Sequence, residues 1–310
     1  MTFDNFYDPK KTSRLIGYEE EFNFLIRLIK LKKFPKVLMI TGEKGIGKST
    51  LVNHLMHYYF DNNFYDLNRN TFKKNIFHNQ LCNNIFQNII YLNGSNFSKI
   101  KIDDIRNLKN KLSQSNGSKN MRFIILDDAE IFNTNSHNAL LKLIEEPGNN
   151  NHFILINNKI RPLLATIKSR CIEMKFTLNN KKKNDIISFL SDYFDEEIIL
   201  EKNVLNISPG NFILFNHFFL TNNIKFEDGL LLNIEKILNF YKKEKNIFYK
   251  HVLLFYIEYN LKKDNFFNYN NKNLFFQNRN FIIKKINEFF LYNLSQNTLL
   301  NSLENKLINE

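Results

Sequence analysis

Thr41-Gly42-Glu43-Lys44-Gly45-Ile46-Gly47-Lys48-Ser49-Thr50 gathers three of the chain's nine glycines, Gly42, Gly45 and Gly47, into one short run. Two glycines bracket four residues and are followed by Lys and Ser, the spacing of a phosphate-binding loop. The physics behind that pattern is specific. Small residues let consecutive backbone N–H groups curl round a polyphosphate, and the helix that follows points its positive end at the same anion. Lys48 is placed to reach the outer phosphates, and the Ser49 hydroxyl to take one site on Mg²⁺. The flanks agree. Lys36-Val37-Leu38-Met39-Ile40 is a short apolar run suited to a buried parallel strand, and Leu51, Val52, Leu55, Met56, Tyr59 and Phe60 then recur at helical spacing. Strand, glycine loop and helix in that order predict a nucleotide-phosphate site.

The same alternation extends outward. Tyr18 to Lys33 reads as a helix with Phe22, Leu25, Ile26 and Ile29 on one face, and Asp61 to Asn75 as polar loops. Asn88–Leu92, Phe123–Leu126 and Phe153–Ile156 read as strands; Ile102–Leu112 and Ser136–Glu146 read as helices, the second stopped by Pro147. Strands alternating with helices predict a parallel sheet covered on both faces. After Lys181-Lys182-Lys183 the character turns all-helical. Asp185–Phe194 and Phe212–Leu220 are short helices separated by Ser208-Pro209-Gly210, and longer ones run from Asp228. Phe281, Ile282, Ile286, Phe289 and Phe290 form an apolar stripe, continued by Leu299, Leu300, Leu303 and Leu307, which reads as bundle core rather than a platform for stacked bases. There is no internal repeat, and Asn-rich patches such as Asn268–Asn273 read as loops.

Composition narrows the class without choosing it. The 310 residues suffice for two or three cores, with 32 Phe and 13 Tyr in place of absent Trp. A formal charge of +12 attracts phosphate backbones, yet abundant Lys, Asn, Ile and Phe also follow from A/T-rich codons, so charge alone decides nothing. Cys82 and Cys171 are far apart and lack metal-ligand spacing, which points to a reducing cytoplasm without a disulfide framework. Met1-Thr2-Phe3-Asp4-Asn5 does not open a signal peptide, and no run has the length to span a bilayer, so no membrane association is expected.

A phosphate loop needs a carboxylate at the end of a neighbouring buried strand to hold Mg²⁺ and water. Phe123-Ile124-Ile125-Leu126-Asp127-Asp128-Ala129-Glu130 supplies it: Asp127 for the metal, Asp128 where a general base would polarise water. The competing reading is a pair that merely opens a turn.

Two further stretches carry a resemblance. Asn138-Ala139-Leu140-Leu141-Lys142-Leu143-Ile144-Glu145-Glu146-Pro147 and Thr166-Ile167-Lys168-Ser169-Arg170-Cys171, with Lys101 to Leu112 and Ile16-Gly17-Tyr18-Glu19, resemble the bacterial clamp-loader branch of the AAA+ ATPases. That branch comprises the delta-prime and gamma/tau subunits of DNA polymerase III. The likeness covers roughly residues 12 to 215, and the C-terminal helices match only in character. It implies an α/β P-loop AAA+ domain over 1–176, a small helical lid over 177–224 and an all-α collar over 225–310. It also implies ATP and Mg²⁺ as cofactors, with Gly42, Glu43, Lys44, Gly45, Ile46, Gly47, Lys48, Ser49 and Thr50 round the nucleotide. Arg170 falls where the family reaches across a subunit boundary to a neighbour's γ-phosphate, against the plainer reading of a surface salt bridge. The sensor amide falls on Asn157 or Asn158. The implied partners are gamma/tau and delta subunits in a hetero-pentameric ring, with the sliding clamp and primer-template DNA.

Three departures from the family pattern temper its activity. Asp127-Asp128 stands where ATPase members usually carry Asp-Glu, which withdraws the base by about one methylene; a displacement near 1 Å can cost about a hundredfold. Ser208-Pro209-Gly210 is followed by Asn211, where active lids carry arginine. Between Asp61 and Asn88 only His78 and Cys82 stand where relatives have a four-cysteine zinc module, so no zinc is expected. These departures favour a delta-prime-like subunit that binds ATP, hydrolyses it poorly and donates Arg170. The alternatives are a gamma/tau-like motor, a P-loop nucleotide kinase, and a scaffold that holds nucleotide for structure. The kinase reading is poorly served by only two arginines between Arg161 and Arg170 and has no evident use for the long helical C-terminus.

Overall fold

Burial, rather than strand propensity alone, organises the sheet. In β1 (Val37–Thr41) every residue is buried, and alternate side chains serve opposite faces: Leu38 and Ile40 join one core, Val37 and Met39 the other. The computed structural model describes residues 8–94, 100, 102–113, 120–263 and 272–308. Met1–Asn5, Lys101, most of the Asn268–Asn273 patch and the Leu307 side chain lie outside the described residues.

Along the chain come α1 (Glu19–Lys30), β1, α2 (Lys48–Phe60), β2 (Tyr65–Asp66), β3 (Thr71–Phe72), α3 (Ile76–Cys82), β4 (Ile89–Asn93) and α4 (Ile102–Ser113). Then follow β5 (Arg122–Asp127), α5 (Thr134–Glu145), β6 (Asn151–Asn157), α6 (Ala165–Lys168), β7 (Ile172–Lys175) and α7 (Asn180–Phe194). Among the described residues the main sheet has five parallel strands in the order β4-β5-β6-β1-β7. The same alternation runs through β5 and β6: Phe123, Ile125, Ile154 and Ile156 pack with α1 and α2, whereas Ile124, Leu126, Phe153 and Leu155 pack with α4, α5 and α6. This is the doubly covered parallel sheet that the sequence predicts.

Several boundaries differ for local reasons. The first helix is shorter than Tyr18–Lys33: Tyr18 is its N-cap, and Lys32 turns left-handed at φ +56°. Asp61–Asn75 is not all loop, because β2 and β3 form a hairpin whose turn is closed by the Asp66 carboxylate accepting from the N–H groups of Asn68 and Arg69. The Lys181–Lys183 run lies inside α7 instead of before it. Ser208-Pro209-Gly210 lies between the helices only through Ser208; Pro209 opens α8 (Pro209–Thr221), the first-turn position where a missing N–H costs nothing.

The chain divides into two compact units, residues 1–187 with 208–211, and residues 188–207 with 212–310. The second is helical: most of α8, then α9 (Leu230–Glu244), α10 (Phe248–Lys263), α11 (Lys272–Tyr292) and α12 (Gln296–Ile308). Its aromatic residues form core, with Phe218, Phe219, Tyr256 and Tyr259 almost wholly buried and Ile282, Ile286, Leu299 and Leu303 closing the stripe. No helix among the described residues is long and apolar enough to cross a membrane.

Candidate functional site

At the carboxyl end of β1 the chain leaves the sheet through Gly42, whose N–H donates to the Asn157 carbonyl of β6 at 3.1 Å. The glycines are there for two reasons. A side chain at Gly42 would stand 2.6 Å from the Phe176 carbonyl; Gly45 and Gly47 have φ of +84° and +100°, where a Cβ is strained. Gly47 is the N-cap of α2. Ile46 is buried against the loop, and Thr50 lies half-buried in the first turn of α2.

Lys48 is 2% exposed and folds back on the loop, its Nζ donating to the carbonyls of Gly42 (2.9 Å) and Glu43 (2.6 Å). Burial lowers its pKa from 10.5 to about 8, although Asp127, Glu130 and Asp128 pull the other way. The Ser49 hydroxyl donates to Asp127 Oδ2 at 2.8 Å. Glu43 is exposed but pairs with buried Lys183 at 3.2 Å, and Lys44 pairs with Asp128 at 3.3 Å. The α8 start meets the loop from the other side: the Gly210 N–H donates to the Gly45 carbonyl at 2.9 Å and Asn211 Nδ2 to the Lys44 carbonyl at 3.4 Å. Asn211 thus contributes a backbone-directed hydrogen bond where an arginine would contribute charge.

Asp127 ends β5, and Asp128 follows it in a left-handed conformation at φ +51°, 2% exposed. The Asp128 carboxylate accepts from Asn158 Nδ2 at 2.6 Å as well as pairing with Lys44. Asn158 therefore joins the carboxylate cluster. Asn157 does not: its side-chain oxygen accepts from the Lys159 N–H at 3.0 Å and caps the turn. Glu130, which the sequence reading passes over, is buried, and its Oε1 accepts from the N–H groups of Asn158 (3.0 Å) and Ile160 (3.2 Å), tying the β5 and β6 ends together. Burial raises the pKa of its carboxyl. Tyr91 was equally hidden; its hydroxyl donates to Asp127 Oδ2 at 2.7 Å, and burial beside that carboxylate pushes its pKa well up. An acidic residue just past a buried strand was the available signal for Glu130; nothing linear marks Tyr91.

The donor set fits a magnesium nucleotide. A hydroxyl and a carboxylate oxygen already 2.8 Å apart are hard oxygen ligands, a lysine lies within the loop, and glycines at Gly42 and Gly45 keep the loop backbone clear of side chains that would clash with its neighbours. Thr41 Oγ1 and Ser208 Oγ, beside the loop, are buried without a hydrogen-bond partner.

Arg170 stands elsewhere. It lies between α6 and β7, with a side chain 38% exposed, pairs with Glu145 at 2.7 Å and donates to the Thr166 carbonyl at 2.8 Å. Register fixes its distance from the loop. Ile172 pairs with Leu38 near the start of β1, whereas the phosphate loop leaves the other end. At ~3.3 Å per residue the two lie roughly 15–20 Å apart. Cys82, His78 and His57 form a file at 3.6 and 3.5 Å, but no group of three or more His, Cys, Asp and Glu among the described residues is arranged to hold a metal.

A phosphate loop after the fourth-placed strand of a parallel sheet, an Asp pair ending β5 and an amide after β6 define a P-loop ATPase domain of the AAA+ type. The chain belongs to the family described as "DNA polymerase III, delta subunit", whose model matches residues 17–180, more than half its length. It is a clamp-loader member of the AAA+ proteins. It is 24% identical over 198 residues to DNA polymerase III subunit gamma of Buchnera aphidicola (strain Sg), covering 62% of this chain and 53% of that one. It is 38% identical over 74 residues to DNA polymerase III subunit delta' of Pseudomonas aeruginosa, covering 24% and 23%. A replication factor C small subunit of Staphylothermus marinus is 27% identical over 193 residues, covering 62% and 51%. The chain thus spans about half or less of the length of these relatives. The fold matches that of a DNA polymerase III gamma subunit-related protein of Thermotoga maritima at TM-score 0.55 and 16% identity, covering 92% of this chain and 97% of that one.

Proposed function

We propose that this chain is a delta-prime-like subunit of the DNA polymerase III clamp loader, helping to load the sliding clamp onto primed DNA in the cytoplasm. It binds ATP with Mg²⁺ through residues 42–50, with Ser49 and Asp127 as the metal's protein ligands. It hydrolyses that ATP poorly and donates Arg170 in trans to a neighbouring ATPase subunit. Its neighbours are gamma/tau and delta in a hetero-pentameric ring around primer-template DNA, with residues 177–224 as lid and 225–310 as collar.

The observation that carries the reading is the register of β7 on β1, which sets Arg170 at the opposite end of β1 from the chain's own phosphate loop. A guanidinium at that corner has no route to the local γ-phosphate, but its exposure lets it serve another subunit's. Poor hydrolysis is supported at Asp128, a short carboxylate already engaged by Lys44 and Asn158. Asn158, which holds that carboxylate, is the better of the two sensor residues. The intact loop favours one second reading, a gamma/tau-like motor with turnover of its own.

A reconstituted clamp loader separates the two. Under the first reading Arg170→Ala lowers clamp-dependent ATP turnover at least a hundredfold, as loss of a trans arginine does, and Lys48→Ala does much less. The reverse order, with steady turnover by the isolated chain, establishes the motor reading instead.

A further inference from the structure

Two hydroxyls converge on one oxygen of the metal-binding carboxylate. Asp127 Oδ2 accepts from Ser49 Oγ at 2.8 Å and from Tyr91 OH at 2.7 Å, while Oδ1 accepts from the Asp128 N–H at 2.9 Å and lies 3.4 Å from Asn158 Nδ2. Only Ser49 among these donors is itself a hard-oxygen ligand placed at the phosphate loop. When it turns to a cation, the Oδ2 side of the carboxylate is left with Tyr91.

The sheet fixes Tyr91 for that task. In the β4–β5 register Tyr91 pairs with Ile125, so it shares a face with Asp127 two residues further on, the diagonal separation that a long aromatic side chain spans. Its ring packs against the core that includes Phe123 and Ile125, and Lys10 Nζ lies 4.3 Å from the ring centroid on a side chain anchored to Asn84 Oδ1 at 2.7 Å. A ring held by the core and by a cation has little freedom to swing its hydroxyl away.

We propose that Tyr91 is a positioning residue for the magnesium-binding carboxylate: its hydroxyl fixes the orientation of Asp127, so that the oxygen facing Ser49 is presented to the cation. This rests on the reading that the loop binds a magnesium nucleotide. Outer-shell hydrogen bonds to metal ligands commonly matter ten- to a hundredfold in metal affinity, which makes the effect measurable.

The test uses the full chain and a fluorescent ATP analogue, titrated with Mg²⁺ at fixed nucleotide and, separately, in EDTA. Tyr91→Phe keeps the packed ring and removes only the hydroxyl, so the melting temperature stays near that of the parent. The expected result is a Mg²⁺ midpoint raised about tenfold, with the affinity in EDTA unchanged. In an Asp127→Asn background the same substitution moves the Mg²⁺ midpoint no further. An unmoved midpoint in Tyr91→Phe, or an equal loss in EDTA, overturns the role of Tyr91 while leaving nucleotide binding intact. A parent chain that binds no nucleotide under either condition overturns the nucleotide reading and this proposal with it.

Discussion

The two ends of β1 solve opposite problems. At the carboxyl end, Lys48, Asp127, Asp128 and Glu130 are buried and bond the loop carbonyls, Ser49, Asn158 and the β6 turn. At the amino end, Arg170 stands half-exposed on the corner before β7, with one carboxylate and two short-range contacts for company. Burial makes every unmatched charge expensive, so the first group is fixed in number and geometry. Exposure makes the second cheap to rearrange. On the proposed reading, one end grips a ligand and the other is available to something outside the chain.

That contrast is broken most directly at the lysine. In the isolated chain Lys48→Ala is expected to weaken magnesium-ATP binding about a hundredfold, ~2.7 kcal/mol, since it removes a charge-assisted hydrogen bond inside a dry loop. Arg170→Ala leaves the same affinity within about twofold. Equilibrium titration with a fluorescent nucleotide reads both; comparable losses would place Arg170 in its own chain's site and end the distinction.

The glycines come next. Gly45→Ala puts a Cβ at φ +84° and 2.5 Å from Ser208 Oγ, and is expected to cost about 2 kcal/mol, or roughly 5 °C in melting temperature. Ser169→Ala, at the exposed corner, stays within ~0.5 kcal/mol. A smaller effect tracks pH. The Lys48 pKa is lowered to about 8, and on the proposed reading the form that binds phosphate is the protonated one. Nucleotide affinity is therefore flat below pH 8 and falls above it, by up to about tenfold per unit, until the pKa of the bound state is reached. In the free protein the sign for stability is opposite: between about pH 8 and 10.5 the unfolded chain holds the proton that folded Lys48 has lost, so this group's contribution to stability rises with pH.

The gripping end was legible because phosphate chemistry needs special backbone, and special backbone needs glycine at fixed offsets. Gly42 and Gly47 stand at the pattern's two fixed positions, Gly47 and the additional Gly45 take positive φ, and the buried runs on either side fix strand and helix. Tyr91 was illegible because its meaning lies in a diagonal between strands, which exists only once β4 is registered on β5. The β7 strand escaped for a different reason: Ile172-Glu173-Met174-Lys175 joins the sheet only through β1 and is largely exposed, so it lacks the apolar run of a central strand. Ser208-Pro209-Gly210 carried a usable signal, Pro at a helix start, that composition disguised as a linker. Arg170 was legible only through resemblance; by itself one arginine after Lys168-Ser169 is an ordinary surface charge.

The smallest expected effect concerns that ordinary charge. The Arg170–Glu145 pair joins side chains 38% and 46% exposed, a setting in which ion pairs contribute ~0–1 kcal/mol. Glu145→Gln keeps the shape and removes the charge, and is expected to lower stability by less than ~0.5 kcal/mol in thermal or urea unfolding. If Arg170 acts on a neighbour's phosphate, this pair is a resting contact that must open first. Glu145→Gln in the assembled loader then leaves ATP turnover unchanged or raises it slightly, in contrast to Arg170→Ala. An arginine kept only for the corner it occupies would behave the other way: the two substitutions would lower the melting temperature by similar amounts, and neither would touch turnover.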